Sequence, residues 1–122
     1  MHHDTGYGHP ERPARVAAVV RGIMSSGIPI EHLAPHPAAI DLVAAIHDRE
    51  YISNLEQFCA AGGGALDMDT VASLGSWEAA LRAAGAGPQV CDRLAAGDAD
   101  LGYVVMRPPG HHAVRNLSLI HI

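Results

Sequence analysis

An apolar run, Leu101 to Met106, ends on Arg107-Pro108-Pro109-Gly110 and hands the chain directly to His111, His112 and Ala113. The run reads as a buried strand, and no other stretch makes so clear a case for one. A single parallel strand cannot satisfy its own edges. The expectation is therefore an α/β domain whose sheet draws on strands from outside these 122 residues. The Pro-Pro-Gly turn sets two imidazoles at the strand's carboxyl end, where open α/β folds place their chemistry. Paired histidines suit proton transfer near neutral pH, since one ring can be neutral and act as base while its neighbour carries charge.

What precedes the strand is helical in pattern. Pro10 and Pro13 bracket the entry to a helix over about 12–26, with Arg15 at its start and Val16, Val19, Val20 and Ile23 as an apolar stripe. Ser25-Ser26-Gly27 ends it. A proline-containing connection follows, then a short helix over 37–47. His47-Asp48 opens a third helix, about 49–61, where Asp48 can cap the first N–H groups. Tyr51, Ile52, Leu55 and Phe58 mark its buried face. Gly62-Gly63-Gly64 stops it and begins a loop to about residue 74. A fourth helix starts near Ser76, with Trp77, Leu81, Ala84, Val90 and Leu94 inward, and Gly85, Gly87 and Pro88 interrupting it. Trp77 and Phe58 are expected as core anchors.

Composition narrows the function. At 48% hydrophobic and 17% charged the chain has the make-up of a globular domain. The net charge is −5, and the eight basic residues, all arginine, form no cluster, which argues against nucleic acid as a primary partner. No stretch approaches 18 apolar residues, so no membrane span is expected. No signal peptide precedes the first helix, and a cytoplasmic location is the expectation. Cys59 and Cys91 share no C-x-x-C spacing and are expected as two buried, reduced thiols.

The histidines outside the turn make weaker sites. His2, His3 and His9 could suggest zinc. Gly6, Gly8 and Pro10 make that stretch a loop without helical spacing, and His9 is better placed to hold it by hydrogen bonds. His32 and His36 are four apart, but Pro35 lies between them. No metal site is predicted among these residues.

Four segments in this order resemble the histone deacetylase family. They are His3-Asp4-Thr5-Gly6 through Gly8-His9-Pro10-Glu11-Arg12-Pro13-Ala14-Arg15; Ile46-His47-Asp48 with Tyr51-Ile52; Asp67-Met68-Asp69-Thr70 followed by Ser76 to Gly85; and Arg107 to Ala113. The details resemble the bacterial and class II branch, including acetylpolyamine amidohydrolase-like proteins. The resemblance implies the amino-terminal portion of a three-layer α/β/α arginase/deacetylase fold with a mainly parallel sheet, mostly helical over these residues. It implies zinc-dependent hydrolysis of an acetamide on a lysine or polyamine amine, with no direct nucleic-acid or membrane partner.

By the same resemblance His112 is the general base toward water and His111 its proton-handling neighbour. Asp69 is a rim-loop aspartate that accepts hydrogen bonds from substrate, although Asp67 competes for the alignment and a helix-capping role before Ser73 and Ser76 is the alternative. Arg15 lines an internal channel that serves as an exit for acetate. The family's zinc ligands, an Asp-x-His pair and a later aspartate, and its tyrosine fall downstream of the tandem histidines. The zinc ion is therefore expected in a longer parent protein, and these residues alone are expected to be inactive. The alternatives are a catalytically dead domain that binds acetylated or polyamine ligands, and a complete small structural protein, against which the unpaired strand argues.

The last six residues, Leu117-Ser118-Leu119-Ile120-His121-Ile122, fit nothing before them. They match the translation of CTG TCT CTT ATA CAC ATC, a stretch of the transposase mosaic-end adaptor used in sequencing libraries; the alternative is a native apolar strand. The expectation is a deacetylase-domain portion over 1–116 and an adaptor-derived tail over 117–122.

Overall fold

The computed structural model describes residues 3, 4, 7, 8, 10, 12–66, 70–110 and 113–116. Four helices and one hairpin follow in the order α1 (Pro13–Ser25), α2 (Ile40–Ala44), α3 (Arg49–Ala60), β1 (Gly63–Ala65), β2 (Val71–Ser73) and α4 (Ser76–Ala95).

Pro13 opens α1, where its missing N–H is no loss and its fixed φ suits the helix. At the other end Ser26 Oγ donates to the Ile23 carbonyl (2.6 Å). The apolar stripe is there, but α1 buries none of its residues. The second helix is shorter than expected, five residues instead of 37–47. The chain before it is committed elsewhere: Ala38 N donates to Leu81 O of α4 (2.8 Å).

The core forms where α3, the hairpin and α4 meet. Ile52, Leu55 and Cys59, spaced three and four apart, are the buried face of α3. Leu55 and Cys59 pack with Ala72 of β2 and Ala80 of α4, and Tyr51, Phe58 and Trp77 close around them. The anchoring expected of Phe58 and Trp77 is thus observed. Small residues dominate because backbones come close. Gly63, at φ +76°, carries no Cβ because one would lie 2.6 Å from the Ala72 carbonyl carbon across the hairpin.

Several expectations are corrected. The loop over 62–74 contains an antiparallel hairpin with Gly63 opposite Ser73 and Ala65 opposite Val71. Alanine and glycine give it little strand propensity, and packing on α3 and α4 overrides that. Helix α4 runs without a break through Gly85, Gly87 and Pro88. Pro88 removes one helical hydrogen bond, yet the tertiary contacts on either side hold the helix together. Asp48 precedes α3 as its N-cap but makes no side-chain capping bond. Its carboxylate takes Arg115 instead (2.7 Å). Cys59 is buried as expected, whereas Cys91 is exposed on the outer face of α4.

The largest correction concerns Leu101 to Met106. Among the described residues this stretch pairs in no sheet, and Leu101 and Tyr103 are 85% and 72% exposed. An apolar pattern marks which residues seek burial, but a strand exists only when a neighbour supplies the ladder.

Candidate active site

The site is built around the turn that follows this stretch. Arg107 is 1% exposed, rare for arginine. Its guanidinium donates to the backbone carbonyl of His3. His3 is equally buried, and its Nδ1 shares a hydrogen bond with Ser76 Oγ (2.6 Å) at the start of α4. Ser76 Oγ also accepts from Ser73 N (2.8 Å), and Ser73 Oγ accepts from Asp4 N (3.2 Å). One polar network therefore ties the N-terminal segment, β2, α4 and the upstream side of the turn. Hydrogen bonding offsets the desolvation of its buried members.

Downstream, Ala113 N donates to Gly110 O (3.0 Å), joining the described residues that flank the histidine pair. Arg115 is then gripped by the entry to α3. Its carbonyl accepts from Asp48 N (3.3 Å) and meets His47 Nδ1 at 3.3 Å. Its Nε donates to Asp48 Oδ1 (2.7 Å). With its amide turned to suit its neighbours, Asn116 donates to Asp48 Oδ2 (2.6 Å). His47 is 6% exposed and its ring leans on Tyr51, centroids 6.0 Å apart.

Arg15 is brought to the same region. With Val16 and Val19 it lines one side of an open cavity of about 180 Å³, and Tyr103 to Met106 and Pro109 line the other. The cavity thus joins the first turns of α1 to the residue two before His111. His111, His112 and Asp69 themselves lie outside the described residues. Thr70, next to Asp69, is fully buried, and its backbone oxygen accepts from Leu66 N (2.9 Å). Among the described residues no three His, Cys, Asp or Glu side chains converge as metal ligands, and no helix is long and apolar enough to cross a membrane.

Sequence reasoning missed Arg107, Ser76 and the grip of His47-Asp48 on Arg115. Arg107 carried a usable signal: it continues an apolar run and precedes two prolines, so its side chain starts from the interior. His47-Asp48 was singled out, but as a local cap. Nothing in the spacing points to a partner 67 residues away. Burial also pushes the Cys59 thiol above its ordinary pKa, partly offset by a hydrogen bond from the Trp77 backbone.

The histone deacetylase domain model matches residues 9–118. The chain belongs to the histone deacetylase family. A probable deacetylase of Methanothermobacter thermautotrophicus is 36% identical over 92% of the chain and 33% of its own length. A histone deacetylase-like amidohydrolase of Pseudomonas aeruginosa is 31% identical over 92% of the chain and 30% of its own length. The crystal structure of the HDA15 HD domain superposes with a TM-score of 0.80 at 25% identity, over 95% of this chain and 36% of that one. The α/β arginase/deacetylase fold expected from the four motifs is thereby found. This histone deacetylase-family chain spans 18–40% of the length of these curated relatives.

Proposed function

We propose that the intact protein is a zinc-dependent deacetylase that hydrolyses N-acetyl groups on lysine or polyamine amines, and that residues 1–116 supply its proton-handling half. The observation that carries this reading is the cavity shared by Arg15 and Pro109, directly upstream of a histidine pair whose flanks are anchored on both sides.

His112, held neutral, would accept a proton from the attacking water, and His111 beside it would stabilise the charge that results and return a proton to the leaving amine. Arg15 would meet the acetate that leaves, since a guanidinium recognises a carboxylate in a planar, charge-assisted pair. Asp69 would hold substrate at the rim. A zinc ion supplies carbonyl polarisation in such chemistry. By the family resemblance, in which the zinc ligands fall downstream of the tandem histidines, we assign its ligands to that later sequence of the intact protein.

The test is acetate release from an acetyl-lysine reporter and from an acetylated polyamine, using the intact protein. Turnover that is lost on chelation and in His112→Ala supports the reading. Robust turnover by residues 1–116 alone would refute the division of labour, and no turnover by the intact protein on either amide would refute the deacetylase.

A further inference from the structure

We propose that His47 is a positioning residue for the histidine pair, with Asp48 as its support, and that the two form the downstream jaw of a clamp whose upstream jaw is Arg107 on His3. The inference rests on the deacetylase reading above and adds to it a residue that touches none of the reacting atoms.

Three observations carry it. The eight-residue step from Arg107 to Arg115 is held at both ends by parts of the chain remote in sequence: Arg107 by His3 and Arg115 by His47 and Asp48. Downstream the anchored group is the segment's own backbone carbonyl, Arg115 O, so chain path is fixed there; upstream it is the buried Arg107 side chain, bonded to the His3 carbonyl. The Arg115 carbonyl accepts from Asp48 N and meets His47 Nδ1, which must then carry the proton because a carbonyl only accepts; the turned Asn116 amide lies 3.2 Å from the same oxygen. The His47 ring is buried against Tyr51, which limits its freedom to swing away.

The Arg115–Asp48 ion pair is secondary. Its side chains are 77% and 40% exposed, and such pairs are screened by solvent. The buried imidazole is the rigid part. Proton transfer needs its acid and base placed within a fraction of an ångström, and an error of about 1 Å lowers a rate by about a hundredfold. A clamp on both sides of the pair answers that demand.

The experiment compares His47→Phe, His47→Asn and Asp48→Asn in the intact protein. Phenylalanine keeps the ring and its contact with Tyr51 but has no donor. Asparagine places an amide N–H close to where Nδ1 stands. The expectation is a kcat about tenfold to a hundredfold lower for His47→Phe, with KM unchanged. His47→Asn should recover most of it, and Asp48→Asn should lose about threefold or less. Amide hydrogen exchange over 107–116 should quicken about tenfold in His47→Phe and return in His47→Asn. A kcat for His47→Phe equal to that of the unsubstituted protein, or an asparagine variant as slow as the phenylalanine one, would overturn the proposal. If the unsubstituted protein hydrolyses no acetamide, the deacetylase reading fails. The exchange measurement then still decides whether His47 holds this segment.

Discussion

Replacing Gly85 by alanine should destabilise the protein, although helix propensity alone argues the reverse. Gly85 lies inside α4, where alanine is favoured over glycine by about 1 kcal/mol. The structure opposes this. An ideal Cβ at Gly85 would lie 2.8 Å from Ala38 N, 3.1 Å from the Pro37 carbonyl carbon, and closer still to His36 O. All three are backbone atoms, so no side chain can swing aside. The connection must lift off α4, and it is bound there by a row of hydrogen bonds. Ala38 N donates to Leu81 O (2.8 Å), His36 N to Gln89 Oε1 (3.0 Å), Gln89 Nε2 to Ala34 O (3.2 Å) and an Arg82 guanidinium nitrogen to Pro35 O (2.7 Å). Losing two or three of them removes about 2–3 kcal/mol at roughly 1 kcal/mol each. Subtracting the propensity gain of about 1 kcal/mol leaves a net loss of about 1–2 kcal/mol. Urea denaturation followed by circular dichroism reads this as a lower midpoint. Gly22→Ala, inside α1, is the internal control, because nothing beyond its own helix and chain neighbours lies within 4 Å of its Cβ position, and it should raise stability by about 0.5–1 kcal/mol. A Gly85→Ala protein as stable as Gly22→Ala would refute the close approach of the 34–38 connection to α4.

Leu55→Ala should lower stability by about 3–5 kcal/mol in the same assay, because its buried neighbours Cys59, Ala72 and Ala80 are too small to fill the space. Pro88→Ala should raise the thermal midpoint, since it restores a helical hydrogen bond at an exposed position; no change would mean that the gap is already satisfied. A thiol reagent should label Cys91 quickly and Cys59 only on unfolding, and two fast thiols would contradict the buried environment of α3. Because burial raises the Cys59 pKa above its ordinary 9.0, its neutral form stabilises the fold fully below pH 9. That contribution is lost as pH rises through the folded-state pKa. The thermal midpoint should then fall more steeply at alkaline pH than in Cys59→Ala.

The sequence made some features legible and concealed others for identifiable reasons. Helices α1, α3 and α4 could be read because their apolar residues recur at three- and four-residue spacing and proline or glycine marks their ends. The hairpin could not, because Gly63-Gly64-Ala65 and Val71-Ala72-Ser73 carry little strand propensity apart from Val71 and owe their pairing to packing on α3 and α4. The unbroken course of α4 was hidden for a related reason. Gly85 is there to admit the His36 backbone, not to end a helix, and only the fold shows what approaches it. At the site, Arg15 follows H-P-E-R-P in the sequence and lines an open cavity with Pro109. Arg107 and Asp48 were not legible, since each takes a partner more than sixty residues distant.

The polar anchors and the apolar core divide the work of this chain differently from a self-contained domain. Apolar burial is concentrated where α3, the hairpin and α4 meet. Helix α1 buries no residue, and Leu101, Tyr103 and Val104 remain exposed. Apolar surface of this kind is where further structure gains most by packing. Arg107 and Arg115, on either side of the histidine pair in sequence, are held by directional hydrogen bonds to His3, His47 and Asp48. Hydrophobic contact is tolerant of sliding, whereas hydrogen bonds to backbone carbonyls hold a chain in one register. Under the proposed function, a segment that presents two imidazoles in fixed relation to a water and an amide needs that second kind of restraint, and this would account for an arginine and two histidines being buried where aliphatic side chains would pack at less cost in desolvation.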